Sequence, residues 1–391
     1  MASSFDPSAL LPVTTKPDVV MVRGAGSWLW DANGKRYLDF VQGWAVNCLG
    51  HCSEVVQRAL AEQASTLINP SPSYHSAPAM VLARELCDRA RLDHAFFCSI
   101  GAEANEGAIK LARKWGSVKR SGAFEIITAR DSFHGRTLAT MAASGRPGFD
   151  RLFPPQVPGF VHVPYDDVAA VAAAIHERTV AVMVEPIQGE GGVVVPAPGY
   201  LRALRELCDA RGILLILDEI QTGMGRAGSL FAHEREGVRP DIMTLGKGLG
   251  GGLPAAALLC RKAVSCFSPG DQGGTFTQHP LTTAVGLAVL RELVAPGFLA
   301  HVERAGEHLR TGLARLGQPY GASARGTGLL CALVLPAAKG PEIVRAAMQR
   351  ELLINSPRAE LLRFMPALNV SLVEIDEMLA RLAEALRASL P

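Results

Sequence analysis

The chain reads as an α/β protein, with a mostly parallel central sheet covered by helices on both faces and a smaller α+β domain built from both termini. Three observations predict this. Short apolar runs alternate with amphipathic, helix-length segments through the middle of the chain, the pattern of strands buried on both faces by crossover helices. From about residue 290 the pattern lengthens into helical periods, R-A-G-E-H-L-R-T-G-L-A-R-L and E-I-D-E-M-L-A-R-L-A-E-A-L, around a strand at 329–335. Near the start, S-W-L-W-D-A-N-G-K-R-Y-L-D-F places two short strands about an Asn33-Gly34 turn, a strong hairpin signal. The expected division is 51–289 for the large domain, and 1–50 with 290–391 for the small one.

Strands of the large domain are expected at 94–98, 124–128, 160–163, 180–185, 213–218 and 242–245, all continuous apolar runs. Their carboxyl ends matter, because an open α/β sheet binds its ligand there. After the first, S-I-G-A-E-A-N-E-G-A-I-K-L-A-R opens a helix whose apolar face is Ala104, Ala108, Leu111, Ala112 and Trp115. Glu103 and Glu106 near its start and Lys110, Arg113 and Lys114 near its end match the helix dipole. The amides of Gly101 and Ala102 then face an anion such as a phosphate, although an ordinary strand-to-helix turn has the same form.

The second strand leads into D-S-F-H-G-R-T, where Phe133 can lie against an aromatic ring and Arg136 can fork onto a carboxylate. The segment V-E-P-I-Q-G-E-G-G puts Glu185 and Glu190 in a glycine-rich loop, as caps or as groups facing a site. Asp218 ends the run G-I-L-L-I-L-D, and Lys247 follows in T-L-G-K-G-L-G-G-G. A lysine amine can hold the aldehyde of pyridoxal phosphate (PLP) as a Schiff base, while a buried carboxylate keeps the pyridine nitrogen protonated. A surface lysine and a strand-end cap are the plain alternatives for the pair. What weighs against them is that four strand ends, before Ser99, Asp131, Glu185 and Glu219, carry polar or glycine-rich residues.

Composition narrows the partner. With 39 basic and 37 acidic residues, a net charge of +2 and no long basic run, neither nucleic acid nor an anionic membrane is expected, and a small molecule is. The first residues, M-A-S-S-F-D-P-S, lack a leader pattern, and no apolar stretch approaches a membrane span, so a cytoplasmic address is expected. Eight cysteines are scattered in mostly apolar surroundings; Cys48 and Cys52 flank His51, but no second pair completes a metal site.

G-A-E-A-N-E, F-H-G-R-T, E-P-I-Q-G-E-G-G, L-D-E-I-Q-T-G-M-G-R and L-G-K-G-L-G-G-G, in this order, resemble the class III aminotransferases of PLP fold type I across nearly the whole chain. D-F-V-Q-G-W-A-V-N-C-L-G-H and L-R-F-M-P-A-L-N-V are most similar to the acetylornithine aminotransferases within that class. The resemblance implies that Lys247 carries the cofactor, that Asp218 partners its pyridine nitrogen and that Gln221 meets its ring hydroxyl. It implies phosphate contacts from Gly101 and Ala102, a ring stacked on Phe133, and Thr275 completing the phosphate site from the neighbouring subunit of a homodimer. Arg136 and Arg363 match the arginines that take substrate carboxylates, and Glu190 the acid that pairs with the second.

The implied reaction is a ping-pong transamination. An ω-amine such as that of N-acetylornithine gives its amino group to the cofactor, and 2-oxoglutarate takes it to become glutamate. Ornithine, 4-aminobutyrate, another diamine derivative or amino-acid racemisation are the alternatives on the same scaffold, with a non-catalytic PLP-fold protein as a further one. The chain departs from the family pattern at Ile100, where a serine is usual, and at Thr277, Gln278 and His279, where Gly-Gly-Asn is usual. Both changes are expected beside the phosphate. His51 and His134 read as supporting residues rather than general bases, because Lys247 can itself carry the proton. Trp28, Trp30 and Trp44 read as core or interface, and Tyr74 falls in a region that lines the substrate entrance in relatives.

Overall fold

The computed structural model describes residues 6–390. The N-terminal meander comprises β1 (Met21–Ala25), β2 (Trp28–Asp31) and β3 (Arg36–Asp39). The β2–β3 turn forms at Asn33-Gly34 as expected: Gly34 takes φ +80°, and the Asp31 carboxylate accepts from the amides of Asn33 and Lys35, each at 2.9 Å.

The large sheet contains β4 (His94–Cys98), β5 (Glu125–Ala129), β6 (Phe160–Val163), β7 (Thr179–Val184), β8 (Leu214–Asp218), β9 (Ile242–Leu245) and β10 (Ala256–Cys260). Their spatial order is β4-β10-β9-β8-β7-β5-β6. The ladder is parallel from β9 to β6, and β10 runs antiparallel to both its neighbours. Every residue of β5, β7, β8, β9 and β10 is buried, which is why these strands read as unbroken apolar runs. Three of the six expected strands keep their bounds, and the other three shift by one residue.

Side chains alternate between two cores. Ile126, Met183 and Ile216 pack with Ala108, Leu111 and Ala112 of the helix Gly101–Lys119. Ile127, Val182, Leu215 and Leu217 pack with Leu201, Leu204 and Cys208 of the helix Tyr200–Arg211 on the opposite face. The expected two-faced cover is thus observed, and it leaves the strand ends free to build a site.

The C-terminal part adds β11 (Ser323–Thr327), β12 (Leu330–Val334), β13 (Leu352–Leu353) and β14 (Leu361–Phe364). Strands β11, β12 and β14 form an antiparallel sheet. Strand β13 instead pairs in parallel with β3, so the two ends of the chain share one sheet. Among the described residues no single helix is long and apolar enough to cross a membrane.

Candidate active site

A cavity of about 270 Å³ opens at the carboxyl ends of β4, β5, β7, β8 and β9. Its wall includes Gly101 and Ala102, then Phe133 and Arg136, then Glu190, and finally Asp218, Gln221 and Lys247. Eight of the ten residues singled out from the sequence therefore converge. A larger groove of about 510 Å³ along Arg130, Arg146 and His162 contains none of the ten.

The floor is a buried polar network. Asp218 Oδ2 accepts from Asn105 Nδ2 and from His134 Nδ1, each at 2.7 Å. Thr244 Oγ1 in turn donates to Asn105 Oδ1 at 2.8 Å, which fixes the amide so that its nitrogen faces the carboxylate. Asp218, His134, Asn105 and Thr244 are all at most 3 % exposed. Burial disfavours a charged His134 ring, but the hydrogen bond and charge of Asp218 outweigh that and raise its pKa. A carboxylate held this way stays poised to accept one more proton donor.

Glu185 is a second buried acid, accepting from the amides of Phe133 at 3.0 Å and Gly189 at 3.2 Å. Burial pushes its carboxyl up to about 7, with His134 opposing and Asp218 adding. Of the two readings left open for this residue, its bonds make it a cap of the glycine-rich loop, and it also lines the cavity.

Lys247 begins a short turn after β9 with φ +43°, a left-handed conformation uncommon for a side chain with a Cβ. Burial pushes its amine down to about 8, against the charge of Glu190 and with that of Arg363. Near neutral pH a usable fraction of the amine is therefore unprotonated and nucleophilic.

Arg363, from β14, is fully buried behind the cavity. Its Nη1 lies 2.6 Å from Glu190 Oε1 and donates to the Gly189 carbonyl at 3.0 Å and to Gln221 Oε1 at 3.3 Å. Burial would raise the Glu190 carboxyl, but Arg363, helped by Lys247 and Arg146, holds it below the usual glutamate value. Gly189 is required here, since a Cβ at that position would fall 1.5 Å from Gln221 Oε1. Arg136, by contrast, is exposed at the cavity wall and makes no ion pair among the described residues; its guanidinium stands 5.9 Å from the Phe133 ring centre.

At the other end, the Glu103 carboxylate turns back to accept from the amides of Ser99 at 2.7 Å and Ile100 at 3.3 Å. The amides of Gly101 and Ala102, in the first turn, have no intrahelical acceptor. Ile100 occupies the N-cap position with its side chain half-exposed and no capping bond.

These groups fit PLP on their own chemistry. Gln221 Nε2 is buried without a partner, next to the cavity, where a ring hydroxyl would satisfy it. Lys247 supplies the amine, Asp218 the anion, Phe133 a ring face, and the helix start an anion site. His134, read as a supporting residue, is bonded to Asp218, whereas His51 pairs with Asp39 at 2.8 Å in the N-terminal part.

Thr275, Thr277 and Gln278 do not reach this cavity; they belong to a surface loop, with Thr275 exposed and Thr277 bonded to the Gly274 carbonyl at 3.0 Å. His279 stands at the N-cap position of the next helix, without a side-chain capping bond, and meets Phe276 edge to face at 5.9 Å. Tyr74 and Trp44 are exposed, at 69 % and 56 %, and line no part of the cavity. Sequence reasoning missed Asn105, whose signal was a polar residue one helical turn before Ala108 and two before Ala112. It also missed Arg146, whose Nη1 lies 4.0 Å from Glu190 Oε2.

Comparison with known proteins agrees with this geometry. Residues 12–386 match the family described as Aminotransferase class-III. Acetylornithine aminotransferase 2 of Bordetella bronchiseptica is 54 % identical over 384 residues, 97 % of each chain. The crystal structure of N-acetylornithine aminotransferase from Stenotrophomonas maltophilia superposes with a TM-score of 0.84 at 39 % identity, covering 95 % of this chain and 96 % of that one. An ornithine aminotransferase structure from Toxoplasma gondii, with PLP at partial occupancy in its active site, gives a TM-score of 0.92 at 33 % identity, covering 97 % and 92 %.

Proposed function

Because the chain belongs to the class III aminotransferases, we propose that it moves the ω-amino group of N-acetylornithine to 2-oxoglutarate, giving glutamate and a semialdehyde, as in arginine biosynthesis. PLP, the cofactor of this family, supplies when bound an electron sink that acidifies the C–H beside a substrate amine. The observation that carries the reading is the asymmetry of the two arginines. Arg136 stands free at the wall, whereas Arg363 is already paired with Glu190.

A donor with one free carboxylate needs one arginine. Its carboxylate takes Arg136, its amine reaches Lys247, and Glu190 keeps the buried Arg363 neutralised, since an unpaired buried charge costs several kcal/mol. The acceptor, with two carboxylates, needs both arginines, and Glu190 must leave Arg363 for that half of the cycle. The fork of a guanidinium suits each carboxylate geometrically.

With PLP bound, Lys247 Nζ would hold it, and its depressed pKa suits the freed amine to take or give a proton at the substrate carbon. Asp218, oriented by Asn105 and His134, would keep the proton on the pyridine nitrogen. Gln221 would donate to the ring hydroxyl, Gly101 and Ala102 would hold the phosphate, Phe133 would cover the ring, and Thr275 of a second copy would complete the phosphate site. The exposure of the Thr275 loop supports such a homodimer, and we place the enzyme in the cytoplasm.

The test is a panel of donors supplied with 2-oxoglutarate. N-acetylornithine is expected to give glutamate with the highest kcat/KM. The substrate assignment fails if ornithine or 4-aminobutyrate is preferred, and the reaction itself fails if no donor yields glutamate while an amino acid loses its chirality.

A further inference from the structure

We propose that Arg146 is the second dock of Glu190, the group that receives its carboxylate when a dicarboxylate substrate takes Arg363; this rests on the two-arginine reading above. The two oxygens of Glu190 already face opposite cations. Oε1 lies 2.6 Å from Arg363 Nη1, while Oε2 lies 4.0 Å from Arg146 Nη1. Glu190 is the one acidic group within 4 Å of Arg146 among the described residues. A carboxylate displaced from a buried arginine does not stay in a half-buried loop without a counter-ion, and a modest side-chain rotation converts 4.0 Å into contact.

Arg146 is held ready for this. Its guanidinium stands 5.6 Å from the centre of the Phe149 ring, and Phe149 is packed edge to face on Phe133 at 6.3 Å. Arg136 stands 5.9 Å from the same Phe149 ring. One aromatic pair, Phe149 buried and Phe133 partly exposed at the cavity, therefore mounts both the arginine that takes the first substrate carboxylate and the arginine that receives the displaced acid. When Glu190 departs, the incoming carboxylate takes over the neutralisation of Arg363, whose Nη1 keeps its hydrogen bond to the Gly189 carbonyl. Its Nη2 is buried without a partner, free for the incoming carboxylate. Arg146 is thus a positioning residue, acting on the substrate through Glu190.

The experiment measures binding of two unreactive probes to the holoenzyme, glutarate with two carboxylates and pentanoate with one. Arg146→Gln is expected to weaken glutarate roughly two- to fivefold, the scale of a half-exposed ion pair, and to leave pentanoate unchanged. Arg146→Lys restores most of the loss, and in a Glu190→Gln background Arg146→Gln has no further effect on glutarate. The proposal is overturned if Arg146→Gln weakens both probes alike, if it weakens neither, or if its effect persists undiminished without Glu190. The two readings separate cleanly. If Glu190→Gln leaves the glutarate-to-pentanoate preference unchanged, the gate itself fails and this inference with it. If Glu190→Gln shifts that preference while Arg146→Gln does not, only the Arg146 assignment falls.

Discussion

Replacing Lys247 by methionine should abolish turnover and yet stabilise the apoprotein. Burial pushes this amine from its ordinary 10.5 down to about 8, so the native state penalises its charged form. At 1.36 kcal/mol for each tenfold change the penalty is about 3 kcal/mol, an upper value because Lys247 keeps some contact with solvent. The sign follows from proton counting. Below pH 8 both folded and unfolded chains carry the proton, and the penalty is present in full. As pH rises toward 10.5 the folded chain sheds its proton first, so the penalty shrinks and then vanishes.

Methionine is apolar, of similar length and adaptable in packing. For a chain of this size about 3 kcal/mol corresponds to roughly 3 to 4 °C in melting temperature. The assay is thermal unfolding of cofactor-stripped wild type and Lys247→Met at pH 7 and at pH 10.5. The variant should melt higher at pH 7, and the gap should close at pH 10.5. A lower melting temperature for the variant at pH 7, or a gap independent of pH, would refute the reasoning. It would mean that Glu190 and the other acids facing Lys247 need its charge more than burial resists it.

Ile100→Ser adds a hydroxyl at the N-cap beside the proposed phosphate site, and should lower the dissociation constant for PLP by roughly tenfold or more, as one bond to a charged group is worth about 1.5 kcal/mol or above; absorbance titration of the apoprotein measures it. Asp218→Asn removes the negative charge that faces a buried His134 and should cost about 3 kcal/mol of stability, with turnover falling far more than glutarate affinity; equal losses in both would contradict the role given to Asp218. Gly135→Ala should destabilise by about 1 to 3 kcal/mol, read by chemical denaturation. The backbone there takes φ +141°, and a Cβ would sit 2.6 Å from Thr140 Oγ1 and 2.9 Å from the Ala102 Cβ.

The strands of the large sheet were legible because each is buried on both faces, so its apolar run is uninterrupted and ends where the site begins. Strand β10 was not, although A-A-L-L-C is equally apolar. It follows a glycine-rich turn, and its antiparallel insertion between β4 and β9 is decided by pairing partners far away in sequence, which no local pattern encodes. The site divides the same way. Asp218 and Lys247 announce themselves because an apolar strand stops at or just before each, and Arg136 and Glu190 because they lie in the polar or glycine-rich segment that follows such a strand.

Asn105 and Arg146 carry no such mark. Asn105 gains its role only when the helix Gly101–Lys119 lays it against Asp218, 113 positions later in the chain. Arg146 stands in S-G-R-P-G, a stretch that reads as a turn, and matters only because folding brings it to the far side of Glu190. The groups that perform chemistry are thus chosen by residue type and stay visible in the sequence. The groups that aim them are chosen by position, and any residue with the right hydrogen bond would serve. That distinction explains why the reaction was read from motifs, whereas the partner that receives Glu190 had to be read from distances.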